Sequence, residues 1–361
     1  MRTRNFVSMS LTGVLLVGVT ACSGSEAGDG GSEAGDAKVY NIKINSGLPP
    51  NHAHVKNMYE PWLEEVEDRT GGRVKGKIYN AEALGTLSTA IDDIESGIYE
   101  VGLINPAYFY DSSFFPMTIA GLAFAYPDAA VGSRMFAEFV EIHMDEIDPD
   151  GLEVAAAFGS DPYVIFSKKP ISEVADLNNV LIKAQGEADA SLLQQWGASP
   201  VSMATGEVYE ALDKNTITAV PYTKVGAAST KFYEVAPYMT DIPLWGGAFS
   251  VAINQNFLDS LPDDLRQTFD TELTPKLAEL ALDVYPQEVK AVDDALPELL
   301  KENGGEVVDV SDEAALEFRS TGVEAQWSDW IALADKNGFD GQAFVDTWFD
   351  LMEKNGLEKP F

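Results

Sequence analysis

The chain has little of the side-chain chemistry that most enzymes use. Its 361 residues contain one cysteine, Cys22, and three histidines, His52, His54 and His143. It contains no Gly-x-Ser-x-Gly nucleophile motif, no Gly-x-x-x-x-Gly-Lys-Ser/Thr phosphate loop and no dinucleotide fingerprint after a strand. An enzyme therefore has no positive support in the sequence. Acid–base chemistry stays open, because a chain so rich in carboxylates places them together by chance.

Cations are scarce as well. There are 24 Lys and Arg against 58 Asp and Glu, which gives a formal net charge of −34. This balance disfavours nucleic acids and anionic membrane surfaces as partners, because phosphate binding needs clustered cations. Abundance does not explain a lysine at the end of an apolar run, yet Lys183 ends the run "VLIK". Either this side chain extends to the surface or it faces something anionic.

Long apolar runs are confined to the N-terminus. Arg2 and Arg4 precede an apolar run over residues 6–19, which is too short for a convincing membrane span and is typical of a signal peptide. The run leads into "VTAC", which resembles a bacterial lipobox and implies cleavage before Cys22 and lipidation of its sulfur. The alternative is an ordinary secreted protein with one free thiol. Residues 22–38, rich in Gly, Ser and acid, predict a flexible tether.

About 320 residues follow the tether, and such a length predicts two domains. β-Prone stretches such as "VYNIKIN", "RVKGKIYN" and "YEVGLIN" alternate with amphipathic helical ones, which indicates an α/β fold with crossover helices. In such sheets ligands bind beyond the carboxyl ends of the strands. The pattern recurs after residue 160, where "PYVIFSK", "NVLIKAQ" and "TITAVPYT" are strand-like.

Two segments share one layout, a helix, a short turn, a strand and then a proline with a tyrosine. They are "TAIDDIESGIYEVGLINPAYF", with Pro106 and Tyr108, and "GEVYEALDKNTITAVPYTKVG", with Pro221 and Tyr222. Two similar lobes predict a clamp that holds its ligand between them. The final third is helical, and we expect its helices to brace both lobes, with a separate helical domain as the alternative.

From Val39 nearly to the C-terminus, the chain resembles the extracytoplasmic solute-binding subunits of TRAP transporters, the tripartite ATP-independent periplasmic family. The matching stretches include "TGGRVKGKIYNAEALGTL", "IESGIYEVGLINPAYF", "KKPISEVADLNNVLIKAQG" and "GASPVSMATGEVYEALDKNTITAV". The resemblance implies a two-lobed periplasmic-binding-protein fold, of the Venus flytrap, type II-like kind. Such a protein closes on a small solute and passes it to a permease driven by an ion gradient, usually sodium, without a cofactor or ATP.

On this basis we expect lobe I to comprise residues 39–160 plus about 250–290. Lobe II is expected to comprise 161–249 plus about 291–361, with the bracing helices. The expected partners are an organic solute, the TRAP permease subunits and the membrane, which a lipid on Cys22 would reach. The protein is expected to be a monomer on the outer face of the cytoplasmic membrane.

The resemblance also implies a ligand-binding residue. Most of this family has an arginine that clamps a substrate carboxylate where this chain has Lys183. Ammonium is a compact point charge and guanidinium is a planar two-pronged donor, so the exchange is not conservative. Two further polar anchors of the family are replaced, by "GSDPY" at 159–163 and by Pro221 with Tyr222.

Aromatic side chains take the place of those anchors in segments expected to line the cleft. They are Tyr108, Phe109, Tyr110, Phe158, Tyr163, Tyr222 and Trp245; Asn105 lies in the same segments, and core packing is the alternative for each ring. His52 and His54 are expected to be loop residues at the cleft mouth rather than metal ligands.

Two classes of ligand fit these residues. One is an organic acid with a ring or apolar body, and the other is an uncharged or cationic solute held by aromatic faces and amides. The rival functions are the binding subunit of an ATP-driven transporter and a cell-surface lipoprotein enzyme.

Overall fold

The computed structural model describes residues 38–147, 149–203 and 205–361. The predicted signal peptide, Cys22 and the predicted tether up to residue 37 lie outside the described residues. Within the described ranges, no helix combines the length and apolar character that crossing a membrane requires.

Eleven strands and thirteen α-helices alternate along the described chain. The strands are β1 (Tyr40–Asn45), β2 (Val74–Tyr79), β3 (Val101–Ile104), β4 (Leu152–Gly159), β5 (Tyr163–Ser167), β6 (Leu181–Ala184), β7 (Ser199–Ser202), β8 (Ala219–Thr223), β9 (Tyr238–Thr240), β10 (Ala248–Asn254) and β11 (Glu306–Val308). The helices are α1 (Glu60–Arg69), α2 (Ala90–Glu95), α3 (Ala129–Ile142), α4 (Met144–Ile147), α5 (Glu187–Gln195), α6 (Val208–Asp213), α7 (Lys224–Thr230), α8 (Gln255–Asp259), α9 (Asp263–Thr268), α10 (Thr274–Glu302), α11 (Asp312–Ser320), α12 (Val323–Lys336) and α13 (Gly341–Lys354).

Shorter helical turns complete these elements. Two π-helical turns lead into longer helices: six residues, His54–Tyr59, precede α1, and five residues, Phe269–Leu273, precede α10. Turns of 3₁₀-helix lie at Leu87–Thr89, Pro106–Tyr108, Phe115–Gly121, Val174–Leu177, Thr205–Glu207 and Phe232–Glu234.

The strands form two sheets, as the two-lobed prediction requires. The first has the order β2-β1-β3-β10-β4 and the second has the order β11-β9-β5-β8-β6-β7. In each sheet one strand is antiparallel to its neighbours, β10 in the first and β5 in the second, and the remaining pairings are parallel. Strands β4 and β10 were not predicted from the sequence.

The two antiparallel strands each follow a loop by which the chain passes from one sheet to the other. The chain passes from β4 to β5 through residues 160–162, and it returns from β9 to β10 through residues 241–247. An antiparallel strand places its first residue at the edge where its neighbours have their last. The starts of β5 and β10 therefore share an edge with the carboxyl ends of the parallel strands, where ligands of α/β sheets bind.

These two crossing segments are hydrogen-bonded to each other. The Ser160 amide donates to the Gly247 carbonyl at 2.9 Å, and the Tyr163 amide donates to the Trp245 carbonyl at 2.7 Å. The Tyr126 hydroxyl lies 3.2 Å from the carbonyl oxygens of both Ser160 and Gly247. We call residues 159–163 and 244–248 the paired crossing.

Helix α10 is a third connection between the two parts. Its 29 residues extend about 43 Å at 1.5 Å per residue. Leu277 and Val284, in its first half, pack in the core of the first sheet, and Leu296 and Leu300 pack with strands of the second.

The C-terminal helices brace both sheets, as expected, and do not form a separate domain. Trp327 and Trp348, of α12 and α13, share one core cluster with residues of both sheets. Their indole N–H groups donate to the carbonyls of Ala123 at 3.0 Å and Ala125 at 3.1 Å. The Trp196 indole, from the second sheet's side, donates to the Thr321 carbonyl at 2.9 Å in the adjoining turn.

Candidate functional site

Lys183 lies near the carboxyl end of β6, at the ligand-binding edge of the second sheet. Its flanking residues Ile182 and Ala184 are buried, and only 2% of Lys183 is exposed. This burial excludes the alternative in which the side chain extends to the surface. Burial lowers the pKa of the ammonium, and the carboxylate of Asp189 opposes that shift.

Asp189 does not neutralise Lys183 by direct contact. Its two carboxylate oxygens accept from the amides of Gln185 at 2.6 Å and Gly186 at 2.7 Å, which ties them to the start of α5. Among the residues that the structure describes, Lys183 makes neither an ion pair nor a side-chain hydrogen bond. Within the described part of the chain this buried cation therefore has no matching anion, an arrangement that is unfavourable unless a ligand supplies the charge.

Three of the predicted aromatic residues lie together beside the paired crossing. Tyr163 contacts Tyr222 edge to face, with ring centroids 6.1 Å apart, and its ring lies 6.2 Å from that of Trp245. Tyr222 is the register neighbour of Val164 within β8, and so it lies inside a strand rather than past its end. The Tyr163 hydroxyl approaches the Gln185 side chain at 3.5 Å, and burial raises the pKa of Tyr163 to about 12.

Asp161, within the paired crossing, is a site residue that sequence reasoning missed. It is 1% exposed, and its Oδ2 accepts from the Val225 amide at 3.1 Å at the start of α7. Its Oδ1 is buried and has no hydrogen-bond partner in the described chain. Burial raises the pKa of Asp161 to about 6, with backbone hydrogen bonds and the charge of Lys224 opposing that rise.

Lys224 is nevertheless not free to neutralise Asp161. Its ammonium pairs with Asp241 at 3.0 Å and with Asp293 of α10 at 3.1 Å. Tyr285, also of α10, is a second missed residue; its ring lies 6.2 Å from that of Phe158 and 6.1 Å from that of Phe249. Burial raises the pKa of Tyr285, and the charge of Asp161 adds to that rise. Helical periodicity marks Tyr285 as a core position, so no sequence signal separated it from the rest of α10.

His54 differs from the expectation of a loop residue at the cleft mouth. It begins a helical turn and is fully buried, with its ring 5.3 Å from Phe158, 5.6 Å from Phe249 and 5.2 Å from Tyr285. Burial lowers the pKa of His54 well below its usual range, so the ring is neutral. Helical backbone explains the difference, because the turn directs the ring into the core instead of along an extended loop.

The other predicted site residues are distributed around this core. Phe158 is fully buried against His54, and His52 is half-buried with its ring 4.7 Å from the ring of His54. The Asn105 side chain accepts from the Ala107 amide at 3.1 Å and starts a 3₁₀ turn. Tyr108 ends that turn and is 57% exposed. No ring contact joins Tyr108 to Tyr163 in the described residues.

The described residues contain no group of three or more His, Cys, Asp or Glu side chains placed to hold a metal ion. What the site does offer is a buried cation, a buried carboxylate and aromatic faces at the junction of two sheets. These features lie in a two-lobed α/β protein, where its two sheets join. The chain belongs to bacterial extracellular solute-binding protein family 7, whose model matches residues 44–331, and this is the TRAP family that the sequence resembles.

Solved structures share this fold. A TRAP periplasmic solute-binding protein from Desulfovibrio salexigens superposes with a TM-score of 0.79 at 22% identity and covers 89% of this chain and 98% of its own. A TRAP solute-binding protein from Rhodoferax ferrireducens has a TM-score of 0.73 at 23% identity, with 88% and 99% covered.

Curated relatives agree with the family. A transporter protein of Comamonas testosteroni, TsaT, is 22% identical over 320 residues, which are 87% of this chain and 92% of the relative. A solute-binding protein of Chromohalobacter salexigens is 26% identical over 200 residues, and the match spans 57% of that protein's length.

Proposed function

We propose that the protein captures a small organic acid between its two lobes and delivers it to the membrane permease of a TRAP transporter. The observation that carries the proposal is Lys183, a buried ammonium without a partner among the described residues. An unpaired buried charge costs several kcal/mol, and a ligand carboxylate at this position offsets much of that cost. Only an anionic ligand can offset this cost, so the buried ammonium of Lys183 favours anionic solutes over neutral or cationic ones.

The body of the solute would lie against Tyr163, Tyr222 and Trp245. Relatives of the same fold hold acids with rings: benzoate in the Rhodoferax ferrireducens protein, both mandelates in one from Bordetella bronchiseptica and pyroglutamic acid in one from Bordetella pertussis. These are the ligands of those proteins. They support the proposal because each of these acids pairs a carboxylate with a ring that can pack against aromatic side chains.

The proposed mechanism is closure of the two lobes about the paired crossing and α10. Lobe I would comprise 39–160 plus about 250–290, and lobe II would comprise 161–249 plus about 291–361. A solute that touches both lobes stabilises the closed state, whose surface the permease then recognises. We further propose that the extracytoplasmic protein is a monomer and that a lipid on Cys22 keeps it beside the permease.

The test is direct titration of the purified protein with a panel of carboxylates, benzoate, mandelate and pyroglutamate among them. Lys183→Met should weaken binding of any carboxylate that binds the parent by at least about tenfold, because the variant loses a charged hydrogen bond. Lys183→Arg should retain binding, since guanidinium also matches a carboxylate. Lys169→Met removes an exposed lysine of the same lobe and serves as the matched control.

Unchanged affinity in Lys183→Met would show that the lysine does not contact the solute. Turnover of a bound acid into a product would contradict a pure binding function. Circular dichroism of each variant separates a loss of affinity from a loss of folding.

A further inference from the structure

Two opposite charges are buried at the candidate site, and neither has its match. The Lys183 ammonium has no ion-pair partner within the described chain, and the Asp161 carboxylate has a buried Oδ1 with no hydrogen-bond donor there. No ion pair joins Lys183 to Asp161 in that part of the chain. Both charges are therefore available to a ligand.

In each case the described opposite charge that influences the group has other partners. Asp189, beside Lys183, accepts from the amides of Gln185 and Gly186. Lys224, beside Asp161, is held by Asp241 and Asp293. Because each neighbouring charge already has other partners, the protein leaves one cation and one anion uncompensated in the same region.

Tyr163 links the surroundings of these two charges. It begins β5 two residues after Asp161, and its hydroxyl lies 3.5 Å from the side chain of Gln185, which follows Lys183 by two residues. The ring of Tyr222 lies edge to face with that of Tyr163. Tyr285 packs against Phe158 and Phe249 at the ends of the paired crossing, and the charge of Asp161 adds to the burial that raises its pKa. Aromatic faces such as these attract cations.

We propose that the solute is a zwitterion whose carboxylate binds Lys183 and whose cationic amine binds Asp161 among the rings of Tyr163, Tyr222 and Tyr285. This inference rests on the proposed function and narrows the organic acid to an ammonium carboxylate. An acid without an amine would bury the free oxygen of Asp161 unsatisfied, which is unfavourable. The same carboxylate would repel a dianion.

A purely structural role for Asp161 is the competing explanation. Its Oδ2 accepts from the Val225 amide and thereby holds the start of α7. An asparagine amide oxygen can accept the same hydrogen bond without carrying a charge. Asp161→Asn therefore preserves the structural contact, removes the charge and replaces the second acceptor by an NH2 donor.

The experiment compares isosteric pairs by isothermal titration calorimetry. The pairs are glycine betaine with 3,3-dimethylbutanoate, proline with cyclopentanecarboxylate, and phenylalanine with 2-methyl-3-phenylpropanoate. We expect the amine-bearing member of at least one pair to bind at least about tenfold more tightly than its partner. The betaine pair separates cation–π attraction from N–H donation, because a quaternary ammonium has no N–H.

Two variants complete the test. Asp161→Asn should weaken the preferred zwitterion at least about tenfold and leave the acid without an amine within about threefold, whereas Lys183→Met should weaken both. Asp309→Asn removes an exposed carboxylate of the same lobe and should change neither. No advantage for any amine-bearing member, or an unchanged affinity for the zwitterion in Asp161→Asn, overturns the inference and leaves the proposed function intact. Failure of every carboxylate to bind overturns both.

Discussion

At the residue scale, the buried carboxylate of Asp161 lowers the stability of the unliganded fold, although we propose that it contributes to ligand binding. Burial raises its pKa from 3.8 to about 6, and backbone hydrogen bonds and the charge of Lys224 partly oppose that rise. The charge of Asp161 in turn adds to the burial that raises the pKa of Tyr126, Tyr163 and Tyr285. The folded state therefore binds this proton more tightly than the unfolded state does. Stability from this group is greatest below pH 3.8 and is lost as the pH rises through about 6.

Asp161→Asn should therefore stabilise the unliganded protein at neutral pH. The pKa difference corresponds to about 3 kcal/mol at most, and we expect a gain of about 1–3 kcal/mol above pH 7. The gain should shrink as the pH falls and vanish near pH 4. Thermal unfolding from pH 4 to pH 8 measures it, with Asp309→Asn as the control. If the unsubstituted protein and Asp161→Asn are equally stable at pH 8, the charge of Asp161 does not destabilise the fold and the prediction is wrong.

Strand position made part of the site predictable. Lys183 and Tyr163 sit near strand ends, and an α/β sheet brings such ends to one edge whatever the rest of the chain does. Asp161 offered no such signal, because it is one of 58 acidic residues and its partner Val225 is 64 positions away. Burial and missing partners, which identify it, exist only in three dimensions.

At the element scale, strands β4 and β10 explain what the sequence did not predict. The β4 sequence "LEVAAAFG" is rich in alanine, a poor strand former, and β10 follows the loop "LWGG" instead of a crossover helix. β10 lies between β3 and β4, so its place depends on strands about 100 or more residues earlier in the chain. Local periodicity carries no information about such pairings.

The paired crossing leaves no room for a side chain at Gly246. A Cβ at Gly246 would lie 1.6 Å from the Tyr126 hydroxyl oxygen. A Cβ at Gly132 would lie 2.4 Å from Cδ2, on the opposite edge of the same ring. The ring is thus confined from both sides and cannot move aside. Gly246→Ala should destabilise the fold by about 1–3 kcal/mol, the usual cost of overpacking.

Urea unfolding provides the measurement for this prediction. Gly206→Ala is the matched control, because a Cβ at Gly206 meets nothing within 4 Å. Its stability should change by no more than about 0.5 kcal/mol. Equal midpoints for Gly246→Ala and the parent would mean that the crossing is looser than its geometry indicates.

At the scale of the whole molecule, two sheets share three connections and one set of bracing helices. Tyr285 of α10 packs against Phe158 and Phe249, which flank the paired crossing that contains Asp161. The residues proposed to respond to a ligand therefore lie where the two parts of the chain join. Composition and length correctly indicated two α/β lobes, because these depend on sums over many residues. They could not locate the junction, which depends on a few specific contacts.

The net charge, which is also a sum over the whole chain, predicts how salt changes the stability of the protein. A net charge of −34 repels itself over the whole surface, whereas each exposed ion pair contributes only about 0–1 kcal/mol. Salt shortens the screening length from about 30 Å at 0.01 M to about 3 Å at 1 M, which weakens both effects. The repulsion is the larger, and many pairs involve side chains that are more than a third exposed, such as Lys56 with Glu60 and Lys214 with Glu210.

The melting temperature should therefore rise by about 2 °C between 0.01 M and 1 M sodium chloride, a gain of about 1–2 kcal/mol for a chain of this size. Sodium chloride and sodium sulfate compared at equal ionic strength separate screening from the exclusion of sulfate from the protein surface. A melting temperature that falls with added chloride would mean that the ion pairs outweigh the repulsion. Because anionic ligands are also repelled by this surface, the same salt series should speed their association, unlike that of a zwitterion, whose net charge is zero.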